Sequence, residues 1–367
     1  MTSVYETYHV KKVINASGKM TILGGSRVSD EVMNACAQGA QNFYEVKDLL
    51  DKTGSYLADL LGVESAYIVN SASGGIAQSI AASICKDHLY DILHLSACTA
   101  KKEIVMAKGH NVDYGTPIEV TISLGGGIMK EAGYANACSK EHMESCINEH
   151  TAALVYVKSH HCVQKGMLSI PEMVELKEKY HLPLIIDAAA EEDLVSYAKM
   201  GADAVIYSGT KALEGPTSGL ILGKKAFLDM VKLQSKGIGR VMKVGKENIL
   251  GLVAAIEHYT TKEHVSLEEQ QTRLLAFHEQ MNALPGVQAR CVQDGAGRAI
   301  IRSELSFKEA TLSAKAIADQ LKLGDIAIYT RDYRANEGYI EIDVRDVDHD
   351  ELAIIANRIE QLVKGNK

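Results

Sequence analysis

No two cysteines are spaced as CxxC, although the chain of 367 residues contains seven cysteines. They are odd in number and scattered, which is typical of free thiols in a reducing cytosol and does not support a zinc site. Long apolar runs are also missing. No stretch approaches the ~18 apolar residues that a membrane helix requires, and MTSVYETYHVKK at the start lacks the apolar core of a secretory signal. We therefore expect a cytoplasmic protein with no membrane partner.

An excess of positive charge is absent as well. The chain has 39 Lys and Arg against 47 Asp and Glu, a formal net charge of −8, which argues against nucleic acid as a partner. A local basic patch is still able to bind a phosphate group. The hydrophobic share of 46% and the charged share of 23% are ordinary for a globular protein, and the length allows two domains.

Short apolar segments alternate with helical patterns between about residues 55 and 225, which indicates βαβ units and a mostly parallel sheet. A different pattern of strands and helices follows after a mainly helical stretch at 245–283. We predict an α/β domain over residues 1–260, whose first 20 or so residues could pack on the smaller domain, and a smaller C-terminal α+β domain over 261–367. The strands of the larger domain are predicted at 65–70, 103–107, 152–157, 182–187, 203–208 and 219–223. The smaller domain is predicted to have strands near 287–293, 298–303, 325–330 and 338–344, with helices at 309–321 and 348–364.

Asp187 ends the predicted strand LPLIID and is followed by three alanines. In open α/β sheets, ligands bind at the carboxyl ends of the strands. The aspartate is therefore either a charged partner for a ligand or a cap for the following helix, and the residue alone does not separate the two.

Lys211 lies in the turn SGTKALEGPTSG, directly after another predicted strand. A strand-end lysine usually reaches solvent, but a desolvated lysine has a lowered pKa and can act as a nucleophile. Ser208 and Thr210 place two hydroxyls in the same turn.

The stretch NSASGGIAQ (70–78) joins a predicted strand to a predicted helix. Such a turn offers backbone N–H groups and a helix dipole to an anion, although Ser/Gly turns before helices are common. It matches neither GxxxxGK[ST] nor GxGxxG, which weakens a nucleotide-binding interpretation. Together with Asp187 and Lys211, it meets the three needs of pyridoxal 5′-phosphate: a phosphate cradle, a carboxylate for the ring nitrogen and a lysine for the aldehyde.

Four stretches in a fixed order resemble one group of enzymes. The chain is similar to fold-type-I pyridoxal-phosphate enzymes of the selenocysteine synthase branch, and within it to the D-glucosaminate-6-phosphate ammonia-lyase group. The resemblance implies a transferase-like large domain built on a mostly parallel sheet of the seven-stranded type. The four stretches are VINASGKMTILGGS (13–26), VESAYIVNSASGGIA (63–77), LPLIIDAAAEEDL (182–194) and GADAVIYSGTKALEGPTSGLILGKK (201–225).

The resemblance also implies roles for the residues of these stretches. Lys211 would form the covalent link to the cofactor, and Asp187 would pair with its pyridine nitrogen. His110, or else Tyr114, would stack on the pyridine ring, unless His110 is a strand-end residue in solvent. The phosphate contacts would come from Ser73, Gly74, Gly75, Ser208 and Thr210.

Four further residues are candidates for substrate binding. His161, in VKSHHCVQKG, is expected to face the substrate; a metal is not predicted there, because neighbouring strand residues point to opposite faces. Arg240 and Lys243 would hold an anionic substrate group or a neighbouring subunit's cofactor phosphate, unless they belong to a solvated helix start. Arg331 would bind the substrate carboxylate in a bidentate manner.

The implied reaction is an α,β-elimination by a lyase on an anionic hydroxy amino acid. The expected substrate is D-glucosaminate 6-phosphate, converted to 2-dehydro-3-deoxy-6-phosphogluconate and ammonia by a homodimer or larger homo-oligomer. The alternatives are selenium or sulfur transfer on an aminoacyl-tRNA, another pyridoxal-phosphate lyase or aldolase, and a non-catalytic protein that binds the cofactor. The negative net charge, and the start of the resemblance at about Lys11, argue against the tRNA substrate.

Overall fold

The computed structural model describes residues 3–159, 161–262, 265–294 and 299–365. The chain forms two compact units, Val28–Thr261 and a smaller unit that combines Met1–Arg27 with Lys262–Lys367. The strands are β1 (Lys12–Ala16), β2 (Ser65–Val69), β3 (Glu103–Ala107), β4 (Ile128–Ala132), β5 (Thr151–Val157), β6 (Leu184–Asp187), β7 (Ala204–Ser208), β8 (Gly219–Gly223), β9 (Gln288–Gln293), β10 (Ile301–Ser306), β11 (Ile326–Thr330) and β12 (Tyr339–Ile342). The α-helices are α1 (Val4–Tyr8), α2 (Asp30–Gln41), α3 (Val46–Leu61), α4 (Ala72–Cys85), α5 (Leu89–Leu93), α6 (Ile118–Leu124), α7 (Lys140–Cys146), α8 (Ile170–Tyr180), α9 (Ser196–Lys199), α10 (Lys225–Leu233), α11 (Ile238–Val241), α12 (Lys246–Thr261), α13 (Leu267–Thr272), α14 (Leu275–Asn282), α15 (Ala314–Leu321) and α16 (His349–Lys364).

The larger unit contains a seven-stranded sheet with the order β2-β8-β7-β6-β5-β3-β4. All neighbouring strands run parallel except β8, which is antiparallel to both β2 and β7. Strands β2, β5 and β8 are buried at every position, as expected for a sheet covered on both faces. The predicted α/β architecture is therefore confirmed, and so are the six predicted strands.

Sequence reasoning missed β4 and extended α9 too far. The edge strand β4 reads IMKEA, with two charged residues and mostly partial exposure, so it has no apolar pattern to detect. The stretch EEDLVSYAKMG (191–201) predicts a short helix that ends at Gly201. In the structure the helix begins only at Ser196, because Asp193 Oδ1 accepts from the N–H groups of Val195 (3.0 Å) and Ser196 (2.9 Å) and forms a turn first.

The smaller unit contains the parallel pair β1-β11 and the antiparallel sheet β12-β10-β9. Lys12 pairs with Ile326 and Ala16 with Thr330, so the N-terminal strand belongs to this unit. The strands and helices predicted for the tail are all present, within a few residues of the expected bounds. A separate apolar core of this unit includes Ile14, Leu305 and Ile355. Among the described residues, no helix is long and apolar enough to cross a bilayer.

Candidate active site

Asp187 lies at the carboxyl edge of the sheet, between two parallel neighbours. It pairs in register with Val157 of β5 and Ile206 of β7. The residue is 6% exposed, and Oδ1 accepts a hydrogen bond from the N–H of Ala189 (3.0 Å). Burial raises the pKa of Asp187, while the positive charge of Lys211 and the Ala189 N–H oppose this rise. The site therefore holds a carboxylate for which a nearby positive charge is favourable.

Lys211 is held beside Asp187 by the turn that follows β7. Ser208 N donates to Ala189 O (3.2 Å), which ties the end of β7 to the end of β6, and Lys211 N donates to Ser208 O (3.4 Å). Lys211 is half-buried. Its charge acts on Asp187, and the hydroxyl oxygens of Ser208 and Thr210 lie 3.2 Å apart. The structure thus brings these four predicted residues together.

The stretch EGPTSG returns the chain to the sheet as β8. Gly215 N donates to Gly209 O (2.7 Å) and Gly209 N to Ser218 O (2.8 Å), so backbone hydrogen bonds close the loop that contains the lysine. Gly219 then pairs with Ser208 on one side and with Val69 on the other. The end of β2, and the start of α4 just after it, therefore lie at the same sheet edge as the lysine turn.

The start of α4 is open to an anion through Ser73, as the sequence suggested, but not through the N–H groups of Gly74 and Gly75. Ser71 caps the helix: its Oγ accepts from Gly74 N (3.0 Å) and its carbonyl from Gly75 N (2.9 Å). The N–H groups of Gly74 and Gly75 are thus already hydrogen-bonded. The first-turn N–H groups of Ala72 and Ser73 have no carbonyl within the helix to bind. Ala72 is a residue that sequence reasoning missed, and the serine three positions before Gly74 was its signal.

Gly219 allows β8 to approach this helix start. A Cβ at Gly219 would lie 2.6 Å from Ser71 O and 2.9 Å from Ala72 N. We expect Gly219→Ala to lower the free energy of unfolding by roughly 1–3 kcal/mol through overpacking, as measured by urea denaturation. Gly324→Ala is the matched control, since its methyl group would meet no atom closer than 3.3 Å. Equal stability of the two variants would show that the start of α4 can shift to accept the methyl group without a loss of stability.

His110 and Tyr114 differ in their surroundings. His110 follows β3 and is fully buried; its ring packs edge-on against Tyr156 with centroids 4.5 Å apart, and burial lowers its pKa to about 4. Its Nδ1 accepts from Val157 N (3.4 Å), while Nε2 has no hydrogen-bond partner among the described residues.

Tyr114 is half-buried. Burial raises its pKa most, the charge of Asp187 raises it further, and interactions with the side chains of Thr121 and Ser73 oppose the rise. Tyr114 therefore lies among the candidate cofactor contacts.

The segment after β5 places Cys162, next to the predicted His161, within the influence of the Asp187 charge. His161 is exposed, and its N–H donates to Ser159 Oγ (3.2 Å); His160 lies outside the described residues. Cys162 is 9% exposed, and burial together with the charge of Asp187 raises its pKa to about 12. In the described parts of the chain, no group of three His, Cys, Asp or Glu side chains could hold a metal ion.

The basic candidates belong to different units of the chain. Arg240 and Lys243 are exposed and line a cavity of about 780 Å³, together with residues of β2 and with Gln78 of α4. Arg331 belongs to the smaller unit, where it contacts Glu341 (Nε to Oε2, 3.3 Å) and Ser17 O (3.4 Å). Burial lowers the pKa of Arg331, and the charge of Arg302 lowers it further.

One edge of a mostly parallel seven-stranded sheet thus combines an open helix start, a buried carboxylate and a lysine turn. These residues fit the phosphate, the ring nitrogen and the aldehyde of pyridoxal 5′-phosphate, and the arrangement defines the class of fold-type-I pyridoxal-phosphate enzymes. A family model described as L-seryl-tRNA selenium transferase matches residues 13–295. The chain belongs to this family, so the predicted family is confirmed.

Three comparisons with individual proteins extend over nearly the whole chain. D-glucosaminate-6-phosphate ammonia lyase of Salmonella typhimurium is 46% identical over 99% of this chain and 98% of its own length. A 5′-C-glycyluridine monooxygenase-decarboxylase of a Streptomyces species is 36% identical, over 99% and 92%. The solved structure of a D-glucosaminate-6-phosphate ammonia-lyase superposes with a TM-score of 0.93 at 44% identity, covering 100% of this chain and 99% of the other.

Proposed function

We propose that this protein is a pyridoxal-phosphate-dependent ammonia-lyase that converts D-glucosaminate 6-phosphate to 2-dehydro-3-deoxy-6-phosphogluconate and ammonia. The observation that carries the proposal is the 46% identity to an enzyme of that name over 98% of its length. The fold and the lysine–aspartate site are common to a wide class of enzymes, so the full-length match supports the substrate. The half-buried position of Lys211 is also consistent with an enzyme of this class that acts on a small-molecule substrate.

The chemistry depends on how the residues of the chain hold charge and protons. Pyridoxal 5′-phosphate supplies an aldehyde that binds amines and a ring that withdraws electrons from the substrate Cα. Asp187 would keep a proton on the ring nitrogen, because its buried carboxylate is stabilised by a positive partner. Lys211 Nζ would bind the aldehyde in the resting enzyme and, once released by the substrate amine, would remove the Cα proton. The C3 hydroxyl would leave as water by taking up the proton that Lys211 removed from Cα, and hydrolysis of the released product would give the 2-oxo acid and ammonia.

Polar groups at the helix start and the lysine turn would hold the cofactor phosphate. The N–H groups of Ala72 and Ser73 and the hydroxyls of Ser208 and Thr210 lie at one sheet edge and suit an anion. Tyr114 is favoured over His110 for a contact with the cofactor, since His110 has no exposed surface.

The experiment that tests the reaction is a coupled assay of 2-oxo-acid and ammonia release. The panel contains D-glucosaminate 6-phosphate, D-glucosaminate and unphosphorylated hydroxy amino acids. We expect turnover to be highest with the phosphorylated amino sugar acid; the absence of turnover with any aldonate would refute the substrate. Because a second relative is named as a monooxygenase-decarboxylase, oxygen consumption is recorded in parallel, and release of ammonia without oxygen uptake separates the two reactions.

Arg240 and Lys243 are proposed to bind the distal phosphate, since two exposed cations share one cavity. We expect Arg240→Ala and Lys243→Ala each to raise KM for the phosphorylated substrate by roughly tenfold, with little change for the unphosphorylated one. Lys140→Ala is a control, because Lys140 forms a surface ion pair with Glu175 (2.5 Å). Equal losses with both substrates would assign the pair to another role, such as a contact with a neighbouring subunit's cofactor.

His161 and Arg331 remain proposed contacts for the rest of the substrate, and Arg331 for its carboxylate. We also propose a cytoplasmic homo-oligomer, because sites of this fold class usually form between subunits and the seven cysteines are free thiols. Light scattering coupled to size-exclusion chromatography measures the subunit number, and a monomeric active enzyme would contradict this part.

A further inference from the structure

The loop between β3 and α6 presents Tyr114 to a buried hydroxyl. Ile118 N donates to Val112 O (3.1 Å), which closes the loop around the tyrosine. The Tyr114 hydroxyl lies 3.2 Å from Thr121 Oγ1, and Thr121 is only 2% exposed. A tyrosine hydroxyl can donate one hydrogen bond and accept others. When one partner is fixed, the direction of its other hydrogen bond is fixed as well.

Thr121 itself has little freedom to move. It lies on α6, whose last turn packs directly on α4: a Cβ at Gly125 would lie 2.5 Å from Ala77 O and 2.7 Å from Ile80 Cβ. A side chain at that position would separate the two helices. The position of Thr121 is therefore tied to α4, the helix whose first turn faces the proposed phosphate.

Ser73 belongs to that first turn, and its side chain lowers the pKa of Tyr114, against the effect of burial. The Tyr114 hydroxyl is therefore held by the buried Thr121 hydroxyl on one side and is influenced by Ser73 of the open helix start on the other. Loss of the Thr121 hydroxyl would leave the tyrosine free to turn away from Ser73.

We propose that Thr121 is a positioning residue, whose buried hydroxyl holds the Tyr114 hydroxyl against Ser73 and so orders the groups that bind the cofactor phosphate. The inference rests on the proposed cofactor site. It concerns affinity for the phosphate group and not the chemical step.

The test compares the affinity of Thr121→Val for pyridoxal 5′-phosphate and for pyridoxal, which lacks the phosphate. Fluorescence titration of the full chain gives both dissociation constants, and thermal unfolding checks the fold. We expect about tenfold weaker binding of pyridoxal 5′-phosphate and an unchanged affinity for pyridoxal. A general structural defect would weaken both equally. Thr121→Ser should restore the affinity to within about twofold, because the hydroxyl returns.

Two further variants complete the design. Ser123→Ala changes an exposed hydroxyl of the same helix and should bind like the wild type. Tyr114→Phe removes the other hydroxyl of the same pair, and it replaces Thr121→Val as the test if that variant does not fold. Adding Thr121→Val to Tyr114→Phe should cause no further loss of affinity for pyridoxal 5′-phosphate. Phosphate-selective binding in Thr121→Val equal to the wild type would overturn the inference and leave the function intact. A wild type that binds no pyridoxal 5′-phosphate would overturn the proposed function instead.

Discussion

Lys211→Ala is expected to lose the visible absorbance of the bound cofactor and to reduce turnover by at least about 1,000-fold. The reason is the placement of this amine: the turn after β7 holds the half-buried Lys211 where its charge acts on Asp187. Spectra recorded after loading with pyridoxal 5′-phosphate, together with initial rates of 2-oxo-acid release, measure both effects.

A matched control separates the lysine turn from lysines in general. Lys225 lies on α10, is largely exposed and pairs with Asp229 in the same helix (2.7 Å). Lys225→Ala should keep the colour and the rate of the wild type. If Lys211→Ala remained coloured after removal of excess cofactor and still turned over, the covalent link would belong to a different lysine.

Asp187→Asn is expected to lower the activity of the enzyme and to raise the stability of the cofactor-free protein. The amide keeps the shape of the side chain but cannot carry the negative charge that would hold a proton on the ring nitrogen. We expect turnover to fall by at least about 100-fold, a loss typical of removing one electrostatic contact to the reacting system.

The gain in stability follows from the direction of the pKa shift. Burial raises the pKa of Asp187 in the folded cofactor-free protein above its value of about 3.9 in the unfolded chain. The folded state then binds a proton more tightly, so the free energy of unfolding falls as the pH rises from the unfolded pKa through the raised folded one. At neutral pH the buried carboxyl group is therefore destabilising, and Asp187→Asn should raise the Tm of the cofactor-free protein by a few degrees.

Thermal unfolding at two pH values, with and without pyridoxal 5′-phosphate, checks this prediction. The difference in Tm between Asp187→Asn and the wild type should shrink as the pH is lowered, because the wild-type carboxyl group then becomes protonated. Added cofactor should stabilise the wild type more than the variant. A cofactor-free variant less stable than the wild type at neutral pH would mean that the Ala189 N–H and Lys211 outweigh burial.

Local residue patterns were enough to find six of the seven strands of the larger sheet and the functional groups at their ends. Fully apolar segments such as β5 and β8 are recognisable because both faces of a parallel sheet are covered. Asp187 and Lys211 could be found because each directly follows such a segment, and the carboxyl ends of parallel strands meet at one edge. These signals are local, because a few neighbouring residues are enough to predict each strand and the functional residue that follows it.

The neighbours of Asp187 and Lys211 depend on contacts between distant parts of the chain. The edge strand β4 has no apolar pattern, and β1 pairs with β11 across most of the chain length. The resemblance favoured His110 over Tyr114 as the contact for the pyridine ring, whereas the structure buries His110 completely and leaves Tyr114 within the influence of Asp187. The sequence also assigned phosphate contacts to Gly74 and Gly75, whose N–H groups the Ser71 cap occupies. The serine three positions before Gly74 is a local signal of that cap. The burial of His110, in contrast, depends on packing against residues far away in the chain such as Tyr156, and no local pattern of residue types encodes it.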